Sequence, residues 1–86
     1  MANIASQKKR ILRSERERDE NRRFTGAVKT QFRRLEEAVA AGDADTVAAE
    51  HRTLIARIDK AVQKGALHKR TAGRKKSRAA RIRAGA

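Results

Sequence analysis

The sequence predicts an all-α protein, a three-helix bundle with a long, projecting first helix. No proline interrupts its 86 residues, and Ala, Arg, Lys and Glu, all good helix formers, dominate. Apolar residues recur at steps of three and four, the period of a helix face rather than of a strand. Two of the five glycines, Gly42 and Gly65, fall where an apolar stripe stops, the place of a helix C-terminal residue. A chain this short forms one small domain, expected over residues 1–86, and buries only about 60% of its unfolded surface. A large substrate cavity is therefore not expected.

Helix one is expected over about 5–41. Its stripe is Phe24, Val28, Phe32, Leu35 and Val39, and Gly42 ends it. Asp43 and Asp45 are candidate N-caps of helix two, expected over about 44–64, with the stripe Val47, Leu54, Ile55, Ile58 and Val62. Gly65 is its natural C′ residue, and Lys60 and Lys64 suit the negative end of the helix dipole. The short link "AGDAD" makes the two helices antiparallel neighbours.

The upstream half of helix one differs, because "RSERERDENRR" at 13–23 has no apolar side chain to bury. The face that later carries Phe24 and Leu35 is occupied there by Arg10, Arg13, Glu17 and Glu20. Pairs such as Asp19 with Arg22 or Arg23, and Glu20 with Arg23, support such a helix by a few tenths of a kcal/mol each. That half should project from the bundle. Free in solution it is marginal as a helix, so fraying is expected there and over the first dozen residues.

Helix three is expected over about 68–83. On a helical wheel Arg70, Arg74, Arg78 and Arg81 share an arc of about 80°, and His68, Ala72, Lys75, Ala79 and Ile82 lie on the far side. One face is cationic; the other is small, weakly apolar and suited to docking.

Enzyme chemistry finds no convergent set. Cysteine is absent, which removes disulfides, thiolate catalysis and Cys-based zinc sites. His51 sits within the stripe of helix two and reads as a histidine at the core edge. His68 lies in a basic run that should hold it neutral, either as a donor to a phosphate or backbone group or as a helix-end residue that packs. Two histidines seventeen apart are a very weak metal signal. "GRKKS" at 73–77 lacks the second glycine and the strand-to-helix context of a phosphate loop, and Asp43 with Asp45 is explained by capping. The expectation is no catalysis, no cofactor, no metal and no small-molecule substrate. "MANIASQKKR" holds no apolar run of signal-peptide length and no stretch has eighteen consecutive apolar residues, so a soluble, intracellular protein is expected.

Charge supplies the positive signal. The net charge is +13, divided as +7 over residues 1–34, −4 over 35–59 and +10 over 60–86, where no acid occurs. Such a field repels itself in a small fold and attracts polyanions. A membrane surface fits poorly, because Ile4, Ile11, Leu12, Leu67 and Ile82 are spread too thinly among the cations. Fifteen of the 23 basic residues are Arg, whose planar fork grips phosphate oxygens in pairs. Both aromatics belong to the core stripe, so base-stacking platforms are absent and recognition should rest on phosphates and shape, as suits folded RNA. Arg22, Arg23 and Lys64 join the helix-three arginines as candidate contacts. A nucleoid-type DNA-compacting protein is the alternative, and a cationic membrane-active peptide a remoter one.

"MANIASQKKR", "AGD" at 41–43 and "KGALHKRTAGRKKSR" at 64–78 together resemble the bS20 family of bacterial small-subunit ribosomal proteins. The second block carries Lys64, Gly65, His68, Lys69, Ala72, Arg74, Lys75 and Ser77 at fixed spacing, and the likeness spans essentially the whole chain. It implies a non-catalytic, early-assembling binder of small-subunit ribosomal RNA at the base of that subunit, located on the ribosome in the cytoplasm. Other small-subunit ribosomal proteins are admissible neighbours, and no homo-oligomer is expected. By position, the resemblance assigns RNA contact to Asn3, Ser6, Lys8, Lys9, Arg10, Arg13 and Arg16, and to His68, Lys69, Arg74, Lys75 and Arg78. "ERERDE" at 15–20 is more acidic than the family pattern.

Overall fold

A computed structural model describes residues 4–85 as three helices. They are α1 (Ile4–Ala41), α2 (Ala44–Gln63) and α3 (Lys69–Ala84), with no strand among the described residues. The 38 residues of α1 form one continuous helix that gives the molecule its 62 Å length, against 21 and 13 Å in the other directions.

The core occupies only the second half of α1. Val28, Phe32, Leu35 and Ala38 pack against Val47, Leu54, Ile58 and Ala61 of α2 and Ala72 and Ala79 of α3. Leu35, Leu54 and Ile58 are fully buried, each contributing about 1.5–3 kcal/mol of transfer free energy. Phe24, Val39, Val62 and Ile82 lie half-buried at the margin, as does Ile55. The buried arc is rotated from the expected stripes because α1 faces two helices at once, which draws Ala38 and Gln31 inward and leaves Val39 at the edge. Gln31 is buried and satisfied: its amide Nε2 donates to the Glu50 carbonyl (3.1 Å) and to the Glu50 carboxylate. An unpaired amide there would be costly.

Two tight links set the topology. Gly42 takes φ +75° and its N–H donates to the Ala38 and Val39 carbonyls, each at 3.1 Å. Asp43 then caps α2, its Oδ1 accepting from the N–H groups of Asp45 (3.2 Å) and Thr46 (3.4 Å) and its Oδ2 from the Thr46 hydroxyl (2.7 Å). These hydrogen bonds, led by that from the Thr46 hydroxyl, hold the Asp43 carboxyl below its ordinary range. At the far end Gly65 takes φ +77°, and the Ala66 N–H reaches back to the Ala61 carbonyl at 2.8 Å, a Schellman-type closure. Only glycine adopts that backbone without strain. Lys76 pairs with Asp59 and Arg83 meets His51, so α3 runs antiparallel to α2; Lys75 over Phe32 and Arg78 beside Glu36 make it parallel to α1.

Candidate nucleic-acid interface

The outer surface of α3 presents Arg70, Arg74 and Arg81, all exposed and on one arc opposite buried Ala72 and Ala79. Arg78 stands apart from them. It leans toward α1, its guanidinium carbon 5.0 Å from the Phe32 ring centroid and its Nη2 3.6 Å from Glu36 Oε1. Lys75 reaches the same ring from the inner side, its Nζ 5.9 Å from the centroid. These contacts are partly solvated, so they orient the two side chains rather than bind them tightly. Two residues that the sequence reading missed, Lys29 and Arg33, flank Phe32 and line a shallow depression with Lys75 and Arg78. Their signal was their spacing, about one turn before and one residue after the core aromatic.

His68 is the N-cap of α3, with φ −74° and ψ 147°, and its Nδ1 accepts the Arg70 N–H at 3.1 Å. An acceptor Nδ1 places the proton of the neutral ring on Nε2, which remains available as a donor. Lys69 is the exposed first residue of the helix, and Lys64 caps the end of α2. The bundle topology places these residues at the end from which α1 projects, the end that also carries exposed Arg22 and Arg23.

Along the projection Ser6, Lys8, Lys9, Arg10, Arg13 and Arg16 are all exposed. Ser6, Lys9, Arg10, Arg13 and Arg16 share an arc of about 120°, whereas Lys8 lies on the other side with Arg22. Arg13 Nε is 3.6 Å from Glu17 Oε1, an exposed pair one turn apart. Asn3 lies outside the described residues. The structure thus separates the candidates into a line along α1, a cluster at the root of the projection and a stripe on α3, with Arg81 at the far end of that stripe.

His51 faces inward, as expected for the core edge. Its Nδ1 is 3.2 Å from Arg83 Nη1 and its buried Nε2 has no protein partner. Burial first, and then the Arg83 charge, hold its pKa below the ordinary imidazole value. Among the described residues no group of three His, Asp or Glu side chains is placed to hold a metal ion, and no helix is long and apolar enough to cross a membrane. What the surface offers chemically is a set of fixed cations, few of them neutralised by neighbouring acids.

The family model for ribosomal protein S20 matches residues 2–83. The chain is 49% identical over 77 residues to small ribosomal subunit protein bS20 of Kocuria rhizophila, covering 90% of each. It is 47% identical over 77 residues to that of Corynebacterium diphtheriae, covering 90% of this chain and 88% of the relative. With bS20 of Koribacter versatilis the identity is 46% over 85 residues, covering 98% of this chain and 96% of the relative. With a three-helix frame, an extended first helix and likeness over nearly its full length, the chain belongs to the ribosomal protein S20 family, whose members are structural and not catalytic.

Proposed function

We propose that this chain is a structural constituent of the small ribosomal subunit that binds small-subunit ribosomal RNA and helps fold it. The observation that carries the reading is the distribution of exposed cations along one helical frame: a line on the projecting helix, a cluster at its root and the stripe Arg70, Arg74 and Arg81 on α3. Phosphates crowd where RNA strands converge, and a long frame carrying cations at both ends can neutralise two such places at once. In this division of labour Arg70, Arg74 and Arg81 reach phosphate directly. Arg78 and Lys75 contribute from fixed positions over Phe32, and His68 adds its Nε2 donor beside Lys69. On the projection Ser6, Lys9, Arg10, Arg13 and Arg16 form one line of contact, Lys8 reaching a neighbouring strand. Arg22, Arg23 and Lys64 serve the junction.

A salt titration of binding to small-subunit ribosomal RNA tests the reading. Engagement of six to ten phosphates lowers affinity by roughly 10³ to 10⁵ between 50 and 200 mM salt, and a flat response would sink it. Arg70→Gln/Arg74→Gln/Arg81→Gln should lower the slope by about one per residue at unchanged helicity. Equal affinity for random duplex DNA would favour compaction of DNA instead.

A further inference from the structure

One face of the projection meets nothing in the bundle. Over residues 4–19, Ile4, Lys8, Ile11, Leu12, Glu15 and Asp19 share an arc of about 100°, on the far side of the helix from Lys9, Arg10 and Arg13. Ile4, Ile11 and Leu12 are each more than half exposed, so the stripe leaves three large apolar side chains in water. None of Lys8, Glu15 and Asp19 belongs to the ion pairs found among the described residues. A shallow depression lined by Leu12, Glu15 and Asp19 continues the stripe toward the bundle.

The order of these residues selects what covers them. Along the helix they read apolar, cation, apolar, apolar, anion, anion. A second copy laid antiparallel about the midpoint of Ile11 and Leu12 sets those two side chains against each other at the centre. On either side Lys8 of one copy meets Glu15 of the other, and Ile4 falls against the depression beside Asp19. No like charges face each other. Parallel pairing would set Lys8 against Lys8 and Glu15 against Glu15, and would bring the two bundles side by side. Bundle repulsion matters, because residues 1–20 carry six Lys or Arg against four acids, so most of the +13 charge lies beyond the paired segment. In the antiparallel arrangement the two Phe24 positions stand about 38 Å apart along the axis, several times the Debye length of about 8 Å at physiological salt.

The geometry points to self-association of the free chain: two copies pair through antiparallel projections, with Ile4, Ile11 and Leu12 as the seam and the Lys8–Glu15 pairs setting the register. This departs from the expectation of no homo-oligomer, and it does not use the RNA-binding reading. A stripe too thin for a membrane surface suffices for a helix of its own kind. Pairing also supplies the projection with the tertiary support that the bundle does not give it. The paired segment is only about 22 Å long, so the interface belongs to the small, transient class.

Sedimentation equilibrium of the full chain without RNA, from about 10 μM to about 1 mM, tests the pairing. The mass should rise with concentration toward twice that of one chain. Pairing should strengthen between about 50 and 300 mM salt, because screening the repulsion of two +13 chains outweighs the loss in two exposed ion pairs. Ile11→Ala/Leu12→Ala, which keeps good helix formers at exposed positions, should weaken it at least tenfold, by about the loss of four apolar side chains from the seam. Lys8→Glu and Glu15→Lys should each weaken it by roughly three- to tenfold, and an equimolar mixture of the two should recover it by pairing unlike chains. A chain that stays monomeric at every concentration and salt overturns the proposal, as does a double alanine variant that pairs like the unaltered chain. A mixture of the charge variants no better than either alone overturns the antiparallel seam. Loss of ribosomal RNA affinity by Ile11→Ala/Leu12→Ala, in a chain that is monomeric throughout, makes RNA the occupant of the stripe and overturns pairing.

Discussion

The two halves of α1 form one unbroken helix but are held by different forces. From Val28 to Ala38 the helix is fixed by side chains buried against α2 and α3, whereas residues 4–20 are all exposed and are held by helix backbone hydrogen bonds and the Arg13–Glu17 pair. Ile4, Ile11 and Leu12, the large apolar side chains of the projection, are 69, 59 and 62% exposed and pack on nothing within the bundle. Tertiary packing stabilises most protein helices more than propensity does. The difference teaches that the apolar core holds the bundle half of α1 and gives no support to the projecting half.

The contrast is broken most severely by Leu54→Ala. Leu54 is fully buried, so truncation to alanine leaves a cavity at the centre of the bundle, and a loss of about 2–5 kcal/mol is expected. In amide exchange, protection should collapse over residues 28–38 while the already weak protection over 8–20 stays as it was. Equal loss in both halves would show that the projection depends on the bundle. Next comes Gly65→Ala, which forces a Cβ onto a φ of +77° at the end of α2. It should cost about 1–2 kcal/mol in chemical denaturation without disturbing α1.

Within the bundle, His51 makes stability depend on pH. The folded-state pKa of His51 lies below its unfolded value of 6.5, so the stability it supports is present above that value and is lost as the pH falls through the folded one. A thermal melt should therefore weaken as the pH drops below about 6.5, and His51→Gln should remove that part of the dependence. The smallest effect belongs to the projection: Glu17→Gln breaks the pair with Arg13 and should change far-UV helicity by little, at most a few tenths of a kcal/mol.

Local signals were the legible part of the sequence. Gly42, Asp43 and Gly65 announced the two links because glycine at positive φ and an aspartate cap act within a few residues, and the long apolar gap at 13–23 announced the projection. The rotation of α3 was less legible. With only Ala72, Ala79 and Ile82 to mark its inner side, the wheel grouped Arg78 with Arg70, Arg74 and Arg81, while the Glu36 carboxylate and the Phe32 ring draw it toward α1. The burial of Gln31 was hidden for a related reason, since its partner Glu50 is nineteen residues away and visible only once the helices pair. For His68 the basic run left two readings open, a donor or a helix-end residue, and the structure places it at the helix end, where its Nδ1 caps α3.

The short links carry a kinetic consequence. Each helix packs first on its neighbour in sequence, across Gly42 and Asp43 or across residues 64–68, and only the α1–α3 contact joins distant parts of the chain. Such low contact order belongs to domains that fold in microseconds to milliseconds. The α1–α2 hairpin, which holds most of the large buried side chains, is the natural nucleus, and α3, docking through alanines, is the natural last step. During synthesis the projecting half of α1 is made ahead of the bundle, so its cations emerge before the core that will anchor them has been assembled.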